Sequence, residues 1–237
     1  MIDGYIFNDH NEKFYYQYYD NKKQKTIILL HGNTESHEIF IKITHHLKDF
    51  NIFLFDTINH GNSSKTRTKL NFSLLADDLL FVINSYHLNN IYLILGYSDG
   101  ANIMLEILYR KLVLSEKYIL VSPNIHYKDL LDKKWLFRYQ IKTFFLSLVS
   151  FSRKKRADIA VRKLVLKHPK YKISDFTNFS IKISIIVAQN DLVAITPLKH
   201  LATLYNAQIH TIENTDHFSL INAQNFIELI KNICEIL

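Results

Sequence analysis

Ile91-Tyr92-Leu93-Ile94-Leu95-Gly96-Tyr97-Ser98-Asp99-Gly100-Ala101-Asn102-Ile103-Met104-Leu105 decides how the rest of the chain is read. Positions 91–95 are a continuous apolar run, the pattern of a strand covered on both faces. From Ala101 onward, Ile103, Leu105, Ile107 and Leu108 are apolar and Glu106 and Arg110 are left for solvent, which reads as a helix. Between the two lies Gly96-x-Ser98-x-Gly100. A strand that turns at once into a helix forces the residue at the turn into a strained backbone, and its neighbours two positions away must be small. The hydroxyl of Ser98 then stands clear of the sheet, where the first N–H groups of the helix converge and negative charge is stabilised. The chain has only 5 Gly in 237 residues, and two of them fall here. Together with the strand before and the helix after, this weighs against a chance match.

Composition sets the frame. At 237 residues with 48% hydrophobic side chains, a single α/β domain with a sizeable core is the simplest fit. The lone cysteine, Cys234, falls in the apolar pattern of a C-terminal helix and is expected as a small buried hydrophobe, not a nucleophile. The chain opens Met1-Ile2-Asp3-Gly4, without the basic and apolar regions of a secretory signal. No apolar run reaches the length of a membrane span. A cytoplasmic protein with no membrane span is therefore expected. The formal charge is +7, but the lysines are mostly scattered and no nucleic-acid motif accompanies them, so no nucleic-acid partner is expected. The one basic cluster, Arg153-Lys154-Lys155-Arg156, is either a solvated face or a contact with an anionic surface.

Working outward from the elbow, residues 2–20 read as a β-hairpin with its turn at Asn8-Asp9-His10-Asn11. Short buried strands are expected at 26–30, 52–55, 117–121, 183–188 and 207–212. Helical spacing marks 37–47, 72–86, 197–205 and 223–237. Strands alternating with helices at these lengths make a mostly parallel central sheet with helices on both faces and right-handed crossovers. In such a sheet the working groups gather beyond the carboxyl ends of the strands. Residues 125–179 break the alternation. They are aromatic and basic with no clear strand, which suggests a helical cap insertion above the sheet edge or an oversized crossover. The expected division is a core of 1–124 and 180–237 and a cap of 125–179.

A serine hydroxyl needs a general base. The chain has 12 His, so position must discriminate. His217 sits in the polar stretch Glu213-Asn214-Thr215-Asp216-His217-Phe218, after the last expected strand and before the final helix. His10, His37, His45, His46, His87, His126, His168 and His200 fall in turns, on helices or in the insertion and read as surface residues, and His210 falls inside a strand. A base also needs an orienting carboxylate. Asp191 follows a buried strand directly, and Asp216 is its rival. The order Ser98, Asp191, His217 is similar to the nucleophile, acid, histidine order of the α/β-hydrolases. No metal or cofactor is expected. His45-His46 and Asp77-Asp78 are adjacent pairs whose side chains diverge on a helix, and no phosphate loop or dinucleotide fingerprint occurs.

With these residues in place the chain resembles the α/β-hydrolase fold family over essentially its whole length, and among its members small bacterial serine hydrolases of the carboxylesterase type. The matching segments are His31-Gly32-Asn33, Asp56-Thr57-x-x-His60-Gly61-x-Ser63, the Gly96–Gly100 elbow, Asp191 and His217. The resemblance implies an oxyanion hole from the backbone N–H groups of Asn33 and Asp99, and structural roles for Asp56, His60 and Gly61. Related chains commonly carry Arg-Gly where this one has Ile58-Asn59. The function expected is hydrolysis of small carboxylic esters or thioesters through an acyl-enzyme. A lyase or perhydrolase using the same three residues, and a ligand-binding module without turnover, are the alternatives. A small-molecule ester with an apolar acyl group is the expected partner. Trp135, Phe137, Phe144 and Phe145 are the candidates to line its pocket, if they do not simply pack the insertion onto the sheet.

Overall fold

The computed structural model describes residues 1–235. Its strands are β1 (Ile2–Phe7), β2 (Lys13–Tyr19), β3 (Thr26–Leu30), β4 (Asn51–Phe55), β5 (Ile91–Tyr97), β6 (Lys117–Val121), β7 (Lys182–Asn190) and β8 (Gln208–Asp216). They form one sheet in the order β1-β2-β4-β3-β5-β6-β7-β8. The β1–β2 and β2–β4 pairs are antiparallel, and every pair from β4 through β3, β5, β6 and β7 to β8 is parallel. The expected sheet, opening hairpin and α/β-hydrolase fold class are all present.

Period-two alternation explains why both faces need cover. Ile28, Leu30, Phe53, Phe55 and Ile94 join one core, where α2 (Phe72–Ser85), α3 (Asp99–Tyr109) and α6 (Ile195–Tyr205) pack. Their neighbours Ile27, Leu29, Ile52, Leu54, Leu93 and Leu95 join the other, covered by α7 (Gln224–Glu235) and the segment around α1 (Ile41–Thr44). Cys234 is buried in this second core, as expected for a small hydrophobe.

Several expected boundaries move. Residues 37–47 are not one helix: a 3-10 turn, His37–Phe40, leads into the single turn of α1. The last strand runs on to Asp216, so Glu213 through Asp216 belong to β8 and not to a loop. Edge strands tolerate polar residues because one side has no partner strand. The final helix follows the expected pattern through Glu235; positions 236 and 237 lie outside the described residues. Two helices, α4 (Lys133–Leu148) and α5 (Arg153–Lys167), occupy the long connection between β6 and β7, which contributes no strand to the sheet among the described residues. Among those residues, no helix is long and apolar enough to cross a membrane.

Candidate active site

Ser98 sits between β5 and α3 with φ 53° and ψ −113°, outside the regions ordinary residues adopt. The ladder holds it there: Ser98 N donates to Val121 O at 2.8 Å, and Asn102 N returns to Ser98 O at 2.9 Å as the first full helical bond. A Cβ on Gly100 would strike the backbone carbonyl of Leu30, and one on Gly96 the carbonyl of Gly100. The glycine spacing is thus a contact requirement between β5, α3 and β3.

His217, just past β8, brings Nε2 to 3.1 Å from Ser98 Oγ. Its Nδ1 lies 2.8 Å from Asp191 Oδ1, just past β7. Asp191 accepts three further bonds, from Ser122 Oγ (2.6 Å), Ala188 N (2.9 Å) and Val193 N (3.2 Å). Burial works against its charge, but the histidine beside it, the Ser122 hydroxyl and the Ala188 amide prevail and hold its carboxyl below the usual range. A proton on His217 Nδ1 would be held by Asp191, which leaves Nε2 facing the Ser98 hydroxyl. The rival Asp216 turns away and caps the next turn, accepting from Phe218 N (3.1 Å) and Ser219 N (2.8 Å). Ser98, Asp191 and His217 are therefore brought together from three separate strand ends.

Asn33 and Asp99 meet through their side chains, Asn33 Nδ2 donating to Asp99 Oδ2 at 2.8 Å. Asn33 Nδ2 also donates to Val161 O of α5 at 3.0 Å. Asp99 is the first residue of α3, so its backbone N–H precedes the intrahelical ladder. Burial pushes its carboxyl up to about 6. Among the described residues, the backbone amides of Asn33 and Asp99 donate to no protein acceptor.

The supporting loop is pinned as the motif requires. Asp56 accepts from His37 N (2.7 Å), His37 Nδ1 (2.9 Å) and Asn62 N (2.8 Å). His37 is thus buried and paired, not a surface residue. Asn59 adopts φ 70° and so fills a place suited to glycine. Its Oδ1 accepts from Thr66 N and Arg67 N, and its Nδ2 donates to Arg67 O. Burial drives His60 down to about 3, so it is a neutral packing residue.

A cavity of about 90 Å³ lies over Ser98 and His217. Leu130, Trp135, Tyr139 and Val165, from the β6–β7 connection, make its roof, with Leu192 and Val193 at one side. Trp135 stacks on Tyr139, ring centres 4.8 Å apart. Of the four aromatic candidates only Trp135 lines this cavity. Phe137, Phe144 and Phe145 are 63%, 59% and 61% exposed, on the opposite side of α4, so the expectation that they line the pocket is corrected. The helical repeat accounts for it, since positions 135 and 139 share one side and 137, 144 and 145 another.

Three neighbours were not visible in the motifs: Tyr97, whose hydroxyl donates to His217 O; Ser122, on Asp191; and Glu35. Ser122 could have been found by the rule that located Asp191, being the first residue past a strand. Glu35 accepts from Gly32 N at 3.2 Å and lines the cavity. A methyl group on Gly32 would lie 2.7 Å from Glu35 Oε2 and 3.2 Å from Ser98 Cβ, so the two side chains flank one point. Burial raises the Glu35 carboxyl to about 7. Among the described residues no group of His, Cys, Asp and Glu could hold a metal ion.

The sequence profile of the alpha/beta hydrolase fold matches residues 25–148. No curated protein matches the chain. Solved structures do. An alpha/beta hydrolase enzyme from a Medee basin deep-sea metagenome library superposes with TM-score 0.81 at 17% identity, over 99% of this chain and 98% of that one. A lipase-esterase related protein from Clostridium acetobutylicum gives 0.72 at 22% identity, over 92% and 98%. A structure of carboxylesterases from the thaumarchaeon Nitrososphaera gargenis gives 0.77 at 15% identity, over 98% of both chains.

Proposed function

Since the chain belongs to the α/β-hydrolase fold family, we propose that it is a serine hydrolase that cleaves small carboxylic esters or thioesters through an acyl-enzyme. The observation that carries this reading is the unbroken line Ser98 Oγ, His217 Nε2, His217 Nδ1, Asp191 Oδ1, at 3.1 and 2.8 Å. Ser98 attacks the acyl carbon while His217 Nε2 takes the hydroxyl proton. Asp191 fixes the tautomer and stabilises the imidazolium that forms. The amides of Asn33 and Asp99 receive the developing oxyanion. His217 then gives the proton to the departing alcohol or thiol. Water attacks the acyl-enzyme with His217 again as base, restoring Ser98. The carboxylesterases among the structural neighbours support the ester reading.

Residues 125–179 serve as a cap over the core formed by 1–124 and 180–237. Trp135, Leu130, Val165 and Val193 make an apolar acyl pocket, and its about 90 Å³ suits short acyl groups. Each buried methylene adds about 0.8 kcal/mol until the space is full. The test is a series of p-nitrophenyl esters of graded acyl length, run on wild type and Ser98→Ala. Short uncharged acyl groups should be preferred, with a steep fall at longer chains. Turnover retained in Ser98→Ala would sink the reading.

A further inference from the structure

The outer side of α4 carries an apolar stripe that none of the described residues covers. Of the seventeen large hydrophobic side chains exposed among the described residues, eight fall within residues 131–151. Five of these, Phe137, Ile141, Phe144, Phe145 and Leu148, follow one another at helical steps of three and four, so they form a single stripe. Scattered exposed apolar residues need no explanation, but a contiguous stripe does. It does not serve the cavity over Ser98, which α4 reaches from its other side through Trp135 and Tyr139.

The charge around the stripe is as concentrated as its apolar surface. Residues 131–156 hold eight Lys and Arg against one Asp, a surplus equal to the +7 of the whole chain, so the remainder of the protein is neutral. Lys134, Arg138 and Lys142 run along one flank of the stripe, and Lys154, Lys155 and Arg156 follow at the start of α5, all exposed. Among the described residues none of the six pairs with a carboxylate. A second copy is a poor occupant, because an isologous pairing would bring two such surpluses face to face. Long basic side chains beside an aromatic and aliphatic stripe fit a surface with negative charge outside and hydrocarbon within. The ammonium and guanidinium heads stay at headgroup level while their stems lie along the apolar surface.

We propose that the outer side of α4, with the basic start of α5, docks on an anionic lipid bilayer and collects the substrate there. The contact is peripheral, the stripe lying in the interface plane. Docking stands independently of the hydrolase reading; delivery of substrate rests on it. A second cavity, of about 420 Å³, provides the route. Leu146 and Val149, at the end of α4, and Lys155, on α5, line it beside the stripe, and Thr34 and Glu35 line both this cavity and the one over Ser98. An ester taken from the bilayer passes between the two helices and reaches the serine at the Thr34–Glu35 junction.

Cosedimentation of the full chain with vesicles tests this. Wild type should partition onto equimolar phosphatidylcholine and phosphatidylglycerol, be released by salt, and bind phosphatidylcholine alone far more weakly. The exposed triple change Phe137→Gln, Phe144→Gln, Phe145→Gln should weaken partitioning by about tenfold or more, with an unchanged melting curve. Lys154→Glu with Arg156→Glu should weaken it comparably and flatten the salt dependence. Both variants should hydrolyse soluble p-nitrophenyl acetate like wild type, and Ser98→Ala should still bind vesicles. Vesicle binding without esterase activity would sink the hydrolase reading and leave docking intact. Esterase activity without vesicle binding, equal binding to both vesicle types, or full binding by the triple variant would overturn docking. So would a stable dimer, or an acidic protein partner, abolished by the same substitutions in place of vesicle binding.

Discussion

The hydroxyl of Tyr97 donates to the backbone carbonyl of His217 at 2.6 Å, tying the residue before the elbow serine to the histidine 120 positions later. Tyr97 is buried, and burial pushes its phenol far above the usual tyrosine range, so it remains a donor at any working pH. The end of β5 thus carries Ser98 and also holds the backbone of His217, the proposed base. Tyr97→Phe keeps the ring and deletes the bond. A buried carbonyl left without its donor costs about 1–3 kcal/mol of stability. A base that is less well held should lower kcat by about tenfold, with little change in KM. Steady-state kinetics beside a urea melt separates the two effects. An unchanged kcat would show that Tyr97 does not position His217.

The two candidate carboxylates are separated by what they bond. Asp191 accepts from His217, while Asp216 accepts from the amides of Phe218 and Ser219. Asp191→Asn should fold and lose about 10⁴ in kcat, because an amide no longer fixes the imidazole tautomer. Asp216→Asn should stay within a few-fold of wild type, because its exposed carboxylate bonds only the turn that follows it. Reversal of the two outcomes in kcat would show that the roles have been exchanged.

Much of this was legible in the chain because the physical signals were local. The apolar runs of β3 to β7 mark strands covered on both sides, and polar residues directly after them mark the edge that carries the candidate site. What was not legible depends on the third dimension. His37 looks like a surface residue on a polar segment, yet it is buried against Asp56, nineteen positions away. Glu213 through Asp216 read as a loop because they are polar, and they stay in β8 because the edge of the sheet admits polar side chains. Phe144 and Phe145 read as pocket residues from composition alone, and only the rotation of α4 shows that they face out. Tyr97 occupies a position that the elbow pattern leaves unspecified, so nothing in the motif pointed to its bond with His217.

Glu35 gives a pH signature. Burial is the leading cause that raises its carboxyl from 4.5 to about 7 in the folded chain, against the opposing bond from Gly32 N. Between those two values the native state holds a proton that the unfolded chain has released. Stability from this group is therefore present at the acid end and lost as pH rises through about 7. Glu35→Gln has no such proton. The stability difference, variant minus wild type, should grow by on the order of 1–3 kcal/mol between pH 4.5 and 8. Denaturant melts of both proteins across that range check it. A difference independent of pH would mean that Glu35 titrates normally.

Gly100 tests the elbow packing. A Cβ there would collide with the backbone of Leu30 and His31, which cannot step aside without breaking the β3–β5 ladder. Gly100→Ala should cost 3 kcal/mol or more, on the order of a severe core overpacking, or prevent folding. Ala at the exposed Asn225 of α7 is the control and should be close to neutral. A stable, active Gly100→Ala protein would contradict the contact account of the elbow glycines.

The central claim is that Ser98 is the nucleophile, and covalent capture tests it most directly. Wild type is treated with a fluorophosphonate, digested, and the modified residue located by mass spectrometry. One adduct on Ser98 is predicted, absent from Ser98→Ala, and slowed on the order of 10⁴-fold or more in His217→Ala, which lacks the base. Labelling that persists in Ser98→Ala, at Ser63 or Ser122 for instance, or no labelling of an active wild type, would contradict it.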